Sequence, residues 1–429
     1  MKAVILTAGE GNRLKPITSS IPKPMIPIAG KPLLEHNILG LIDAGIKEIL
    51  LIVGYKEDII KDYFEGGKDR FGIDIKYITQ KEYLGTANAT SYAKKFVDND
   101  IFMMMYGDII VDPIIFKNII NEYNKKKPTG LISLLEVDNP YNYGIISLNK
   151  DGYVRNITEK PSPEQNLGNL ANIGIYIFDP LIFKAIDKTK LSIRNEYEFT
   201  DSMEILITKL KGIILGYVSK NLYWNDIGLP WQLLDANKYL LNKIEQKNSG
   251  VIEPNVYIKG NVYIEEGTII KSGSYIEGPC YIGKNNKIGP NAFIRPYSFI
   301  EDNCHIGISE IKNSIILSNT NIPHFNYVGD SIICRNVNFG AGTKVANLRL
   351  DNKKIKVRIK NNIIDSNKRK LGVIVGSNVK TGINVSIMCG KKIGVNSCIG
   401  ANTLVIEDVP PNTLYYQDPN KGIQSKKLR

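Results

Sequence analysis

Gly9, Gly11 and Arg13 follow the short apolar run Ala3 to Leu6, and a lysine framed by prolines comes soon after in Pro22-Lys23-Pro24. Glycines let backbone N–H groups approach an anion closely, and two nearby cations add fixed positive charge, so the stretch suits phosphate binding. It is not a Walker loop, because no Gly-Lys-Ser/Thr follows, nor a dinucleotide fingerprint, because the third glycine is missing. Downstream stand two carboxylates, Asp108 in Tyr106-Gly107-Asp108 and Asp226 in Trp224-Asn225-Asp226, hard ligands of the kind Mg²⁺ takes. A separate chemistry belongs to His324, in Asn321-Ile322-Pro323-His324-Phe325-Asn326-Tyr327. An imidazole suits proton removal near neutral pH, and backbone N–H groups of the turn Gly340-Ala341-Gly342 are candidates to stabilise an oxyanion. The other histidines, His36 and His305, read as packing or surface residues.

The elements that must position these groups differ between the two halves of the chain. Up to about residue 228, short apolar runs (Ala3 to Leu6, Glu48 to Val53, Ile75 to Thr79, Ile101 to Met105) alternate with helical patterns such as Pro32 to Ala44 and Thr86 to Phe96. That alternation predicts an α/β sheet, mostly parallel, with Asp108 at the carboxyl end of a central strand, where open α/β sheets bind ligands. Residues 229–249 read as a linking helix with Leu233, Leu234, Ala236, Leu240 and Ile244 on its apolar stripe.

From Gly250 the pattern changes to a strict six-residue beat, Ile252, Ile258, Ile264, Ile270, Ile276, Ile282, Ile288, Ile294, Ile300 and Ile306. A hexapeptide period predicts a parallel β-helix whose isoleucines stack into internal ladders. Each buried isoleucine contributes about 1.5–3 kcal/mol before the ordering entropy is subtracted. The beat shifts phase after Ile306, resumes at Ile316, Ile322, Val328, Ile333, Phe339 and Val345, and returns at Val375, Ile387, Ile393, Ile399 and Val405, with Thr381 as a polar interruption. Between them, residues 348–370 lack the beat and carry Lys353, Lys354, Lys356, Arg358, Lys360, Lys368, Arg369 and Lys370, which predicts a protruding basic hairpin. Pro410 and Pro411 stop the repeat, and the tail beyond them reads as irregular and partly mobile.

Length and composition agree with two cores. At 429 residues the chain exceeds one ordinary core. No apolar stretch approaches the ~20 residues of a membrane span, and the first residues are too short for a signal peptide, so a cytoplasmic protein with no membrane association is expected. The five cysteines include no CxxC pair and make an odd count, which fits reduced, structural thiols. The net charge of +12 is spread over scattered lysines without an aromatic-basic motif, which argues against nucleic acid and favours small polyanions as partners.

The stretch Pro22-Lys23-Pro24-Met25-Ile26-Pro27-Ile28-Ala29-Gly30-Lys31-Pro32, with the glycine loop before it, resembles the signature of the sugar-1-phosphate nucleotidylyltransferases. The resemblance implies that Ala8, Gly9, Gly11, Arg13 and Lys23 serve the triphosphate, with Arg13 and Lys23 at the reacting centre. It further implies that Gln80, Gly85 and Thr86 in Gln80-Lys81-Glu82-Tyr83-Leu84-Gly85-Thr86 read a uracil or thymine, and that Asp108 and Asp226 hold Mg²⁺. Gly144, Glu159, Lys160 and Asn172 fall on positions that hold the sugar phosphate, and Arg194 with Glu198 to Asp201 resembles another sugar-side stretch. Asp226 stands where the bacterial bifunctional enzymes use asparagine, so this half is similar to the thymidylyl branch as much as the uridylyl one.

The sequence around His324 resembles the acetyltransferase half of the bifunctional amino-sugar-1-phosphate acetyltransferase and uridylyltransferase enzymes. This implies a general base at His324, amino-sugar and phosphate contacts at Arg295, Lys312, Tyr327, Asn338, Asn347 and Lys353, and an acetyl-CoA contact at Ser377. The long basic segment resembles archaeal relatives. The fold implied is α/β, a Rossmann-like nucleotidyltransferase domain over 1–228, the linking helix, and a left-handed parallel β-helix of hexapeptide repeats over 250–429, assembled as a homotrimer. The expected function is acetylation of glucosamine-1-phosphate from acetyl-CoA and transfer of a nucleotide from UTP or dTTP to the product. One rival is a single-activity nucleotidylyltransferase with a passive β-helix, against which His324 and Asn338 argue. Another is a non-catalytic subunit with both folds, which has no use for Arg13, Lys23, Asp108 and Asp226 together.

Overall fold

The computed structural model describes residues 1–165 and 167–428. They divide into two compact units that interleave in sequence: Met1–Glu10, Pro22–Met25 and Leu33–Asp226 form the first, and Gly11–Ile21, Ile26–Pro32 and Ile227–Arg429 the second. The expected single cut at 228 therefore does not describe how the chain clusters. Local hydrogen bonding explains part of this: Ala29 donates its backbone N–H to Asn237 Oδ1 at 3.0 Å, and Asn237 Nδ2 donates to the Tyr297 carbonyl at 3.0 Å. Gly30, with φ 89°, lies so close to Tyr281 that a Cβ there would come within 2.5 Å of the ring, which excludes any larger residue.

In the first unit the parallel strands β1 (Lys2–Leu6), β2 (Glu48–Val53), β3 (Asp74–Thr79) and β4 (Phe102–Tyr106) lie in the order β3-β2-β1-β4. Ala3, Val4, Ile5, Met103, Met104 and Met105 have no exposed surface, as expected of parallel strands covered on both faces. The strand Leu170–Phe178 runs antiparallel to β4 and extends the sheet. Register brings Leu6 beside both Ile52 and Tyr106, and Ile52 beside Ile78, so the carboxyl ends of all four parallel strands share one edge. Helix α1 (Leu33–Asp43) buries Leu33, Leu34, Ile38 and Leu41, and Gly45 follows it at φ 90°, the left-handed conformation that ends helices.

The second unit opens with α2 (Pro230–Leu241), not the longer helix expected over 229–249. By Lys247 the chain already pairs in parallel with Tyr263 of the first coil; residues 242–248 are mostly polar, and neither helical nor strand periodicity shows in so short a run. The coils then form a parallel β-helix whose strands stack in long parallel ladders. Ile264 through Ile306 on the beat are at most 1% exposed, and Ile252, at the open end, is 37% exposed because no coil covers it. Buried hydroxyls knit successive coils: Thr268 Oγ1 accepts from the Asn286 N–H 18 residues on, and Ser314 Oγ from the Ser331 N–H only 17 residues on. The shorter coil is the phase shift seen in the sequence. Thr381 is satisfied too, taking the Gly340 N–H at 2.9 Å.

One corner repeats asparagine in the left-handed conformation, at Asn285, Asn303, Asn319, Asn336, Asn378, Asn396 and Asn412, with φ between 55° and 62°. Asparagine tolerates this region better than other residues with a Cβ. Its amides also form a ladder, Asn336 to Asn378 at 3.0 Å, Asn378 to Asn396 at 2.8 Å and Asn396 to Asn412 at 3.0 Å. The basic segment is a hairpin of Lys356–Ile359 and Asn362–Asp365, closed at its base by a Leu348–Lys370 bridge. Val357 and Ile359 are buried while Lys356, Arg358 and Lys360 face out. The tail expected to be irregular is instead ordered: Thr413–Asp418 pairs with Cys398–Ile399 in parallel and with Gly422–Lys427 in a hairpin, and Tyr415 is 1% exposed. Tyr415 joins the β-helix core and Ile423 packs against it, which holds the segment in place beyond the two prolines.

Candidate functional site

Ala8 and Gly9 follow β1, Gln80 follows β3 and Asp108 follows β4, so the strand register alone brings them to one edge. Lys23, on a short turn with Pro24 and Met25, is 7% exposed and its ammonium is ion-paired with Asp108. A buried ammonium requires such a partner. Asp226 lies opposite Ile109 in an antiparallel pair, one residue from Asp108. Two carboxylates from neighbouring chain segments are a set that Mg²⁺ accepts when phosphate oxygens and water complete its shell. Among the described residues no cluster of three or more metal-ligating side chains occurs, so the substrate would have to supply the rest.

Gly85 has φ 106°, and a Cβ there would come within 2.6 Å of the Tyr197 carbonyl. Thr86 Oγ1 beside it accepts the Phe199 N–H at 3.0 Å, which anchors the segment after Gln80. On the other side, Gly144 pairs with Glu159, and a Cβ on Gly144 would meet Glu159 Oε2 at 2.9 Å and Asn172 Cβ at 3.8 Å. Glu159 keeps 31% of its side-chain surface open, and burial of the remainder pushes its carboxyl up from the ordinary range against the pull of Arg194. Arg194 reaches Glu198 at 2.9 Å and Glu159 at 3.8 Å. Asn172 is oriented by Tyr176 at 2.7 Å and by the Gly174 N–H at 3.0 Å. Lys160 is exposed. Gly11 and Arg13 belong to the second unit, where Gly11, at φ 67°, accepts the Leu14 N–H at 2.9 Å and the Thr18 hydroxyl at 3.0 Å. The Arg13 guanidinium lies against Gly228, 3.1 Å from where a Cβ would be.

In the β-helix, His324 is exposed at a corner, in register with Ile308, where the Asn321–Gly329 strand bulges against its neighbour. Phe325 takes φ 52° and is 65% exposed, an unusual placement for a bulky side chain. Four of the other expected site residues gather along the adjacent ladder. Arg295 pairs with Glu310 at 2.8 Å, Glu310 is in register with Tyr327, and Asn347 Nδ2 reaches both the Tyr327 hydroxyl at 3.1 Å and Asp330 at 2.5 Å. Lys312 pairs with Asp330 at 3.2 Å, and Asn313 Nδ2 donates to it at 2.7 Å. Asp330 and Glu310, absent from the sequence reading, therefore tie the cluster together. Their signal was available only as acidic residues on the outward beat. Burial pushes the Tyr327 phenol up.

Three further expected residues lie on other segments. Asn338 bridges Asn321 and Lys380 across a neighbouring coil, and Lys353 sits exposed at the start of the hairpin. Ser377, 5% exposed, precedes Asn378 on the asparagine corner, a different corner from that of His324. The oxyanion role suggested for Gly340-Ala341-Gly342 is overturned for two of its three N–H groups. Gly340 N–H binds the Thr381 carbonyl at 3.1 Å and Gly342 N–H the His324 carbonyl at 2.9 Å, because coil stacking consumes them.

Residues 2–243 match the nucleotidyl transferase family model, and residues 276–389 match that of the GMPPB C-terminal domain. The chain is 48% identical over 420 residues to the bifunctional protein GlmU of Methanocaldococcus jannaschii, covering 97% of this chain and 98% of that one. It is 42% identical over 418 residues to the bifunctional sugar-1-phosphate nucleotidylyltransferase/acetyltransferase of Sulfurisphaera tokodaii, covering 95% and 98%. Among solved structures, a UDP-glucose pyrophosphorylase complexed with UDP-glucose superposes with a TM-score of 0.52 at 26% identity, over 57% of this chain and 99% of that one. A glucose-1-phosphate thymidylyltransferase from Bacillus anthracis, described as putative, gives 0.51 at 29%, over 58% and 98%. No helix among the described residues is long and apolar enough to cross a membrane.

Proposed function

Because the chain belongs to the family of bifunctional sugar-1-phosphate nucleotidylyltransferase/acetyltransferases, we propose that it acetylates glucosamine-1-phosphate from acetyl-CoA and couples the product to UTP or dTTP, releasing pyrophosphate. The observation that carries the nucleotidyl half is the ion pair of the buried Lys23 with the partly open Asp108, at the carboxyl end of a parallel strand. A sugar-phosphate oxygen attacks the α-phosphorus, the α–β bridging bond breaks, and pyrophosphate departs, so the protein needs to align and neutralise rather than form a covalent bond. Lys23 exchanges Asp108 for phosphate oxygens, Arg13 adds a second cation, and backbone N–H groups at Ala8, Gly9 and Gly11 approach the triphosphate. Gly144, Glu159, Lys160 and Asn172 hold the sugar phosphate, and Gln80, Gly85 and Thr86 the base. Asp108 and Asp226 would hold Mg²⁺, which when bound neutralises charge on the phosphates.

In the acetyl half, the amine attacks the thioester carbonyl, its proton passes to His324, and CoA leaves as the thiol. Tyr327, Asn338, Asn347, Lys353, Arg295 and Lys312 hold the acceptor, and Ser377, on its separate corner, meets acetyl-CoA through a neighbouring copy in a homotrimer of left-handed β-helices. The exposed apolar side chains Phe325 and Ile383 (53% exposed) near the His324 corner support such cover. The enzyme works in the cytoplasm.

Two substitutions test the reading. His324→Ala should reduce acetyl transfer by roughly 10²- to 10⁴-fold and leave pyrophosphate release intact, and Asp108→Ala should do the reverse. Equal loss of both activities in either variant would contradict separate sites.

A further inference from the structure

Gln80 directly follows β3 and continues its ladder, donating its backbone N–H to the Val53 carbonyl at 2.8 Å. The side chain is 5% exposed. Its amide nitrogen donates to the Glu82 carbonyl at 2.9 Å and to Asn88 Oδ1 at 3.0 Å. A backbone carbonyl can only accept, so the Glu82 contact settles which end of the Gln80 amide is nitrogen. Both of its N–H bonds are then used inside the protein. Among the described residues, Oε1 meets no donor.

An amide whose two N–H groups are both held inside the protein offers a ligand only its carbonyl oxygen, an acceptor. Asn88 lies on the helix Thr86–Ser91, which begins directly after Gly85. We infer that Asn88 is a positioning residue that locks the Gln80 amide, so that only a hydrogen-bond acceptor faces the nucleobase. This rests on the proposed contact between Gln80 and the base, and it deepens that reading into a rule of selection. An acceptor takes the imide N3–H of a uracil or thymine. It repels cytosine, whose N3 is itself an acceptor. Were the amide free to rotate, a glutamine would serve either base, and only the lock makes it selective.

The test measures kcat/KM for pyrophosphate release with UTP, dTTP and CTP in the full-length enzyme, with acetyl transfer as a control for folding. Asn88→Leu keeps the size and removes the acceptor; it should lower the UTP-to-CTP preference about tenfold or more, chiefly through KM. Asn88→Asp keeps an acceptor for Gln80 and should hold the preference within about threefold of the parent. An unchanged preference in Asn88→Leu, with acetyl transfer intact, overturns the lock. Gln80→Leu, which removes the acceptor itself, separates the two layers of the argument: a changed preference there alongside an unchanged one in Asn88→Leu removes only the role of Asn88, whereas no change in Gln80→Leu removes the base contact itself and the inference with it.

Discussion

Asp330→Asn is the substitution that most directly probes how the β-helix corner is held. Asp330 is 4% exposed and already sits at φ 52°, where asparagine is at ease, so the exchange alters charge and hydrogen bonding but not the backbone. Its Oδ1 accepts from Asn313 at 2.7 Å, and its Oδ2 accepts from Asn347 at 2.5 Å and pairs with Lys312 at 3.2 Å. An asparagine that keeps Oδ1 on Asn313 turns an NH₂ toward two donors. The hydrogen bond from Asn347 to a charged acceptor is worth about 1.5–3 kcal/mol. The Lys312 side chain is 20% exposed, so that pair adds only about 1 kcal/mol. The expected loss is about 2.5–4 kcal/mol, read by calorimetry as a fall of about 5–15 °C in the transition of the β-helix. Because Asn347 also positions the Tyr327 hydroxyl, the KM for the amino-sugar phosphate in acetyl transfer should rise while pyrophosphate release stays unchanged. Placing Asp330→Asn in a Lys312→Met background should cost about 1 kcal/mol less than in the parent. A loss below about 0.5 kcal/mol with unaltered acetyl transfer would refute the reasoning.

Burial pushes the thiols of Cys280, Cys304 and Cys334 up to about 12. At pH 8 they should resist iodoacetamide in the native protein while the partly exposed Cys389 and Cys398 are alkylated, as peptide mass spectrometry would show; rapid modification of Cys304 would contradict the sealed core. Glu159 has its carboxyl raised by burial. The folded form therefore holds the proton more tightly than the unfolded chain, and stability contributed by this residue falls as pH rises from the ordinary glutamate pKa through the raised one. Glu159→Gln should accordingly be less destabilising, or stabilising, at pH 7–8 than near pH 4, and thermal scans at both values that show the opposite order would refute it.

The isoleucine beat determined the stacked coils outright, because a six-residue period places every sixth side chain inward whatever lies outside, and Ile264 through Ile306 are buried accordingly. The alternation of apolar runs and helical stretches likewise determined a parallel sheet with Gln80 and Asp108 on its carboxyl edge, since strand direction follows from crossover helices. The gap after Val345 determined the basic hairpin. Which corner a residue occupies was not legible, because a 17-residue coil and an inserted hairpin rotate everything downstream: Ser377 lands on the asparagine corner and His324 on another. The asparagine column was visible as repeated letters, yet its meaning depends on φ, which no spacing states. Tertiary structure alone decided that Gly340 and Gly342 spend their N–H groups on neighbouring coils, that Asp330 gathers Lys312, Asn313 and Asn347, and that residues 11–21 and 26–32 cluster with the second unit. Periodicity records which way a side chain faces; hydrogen-bond partners come from segments far apart in sequence, and only the folded chain brings them within reach.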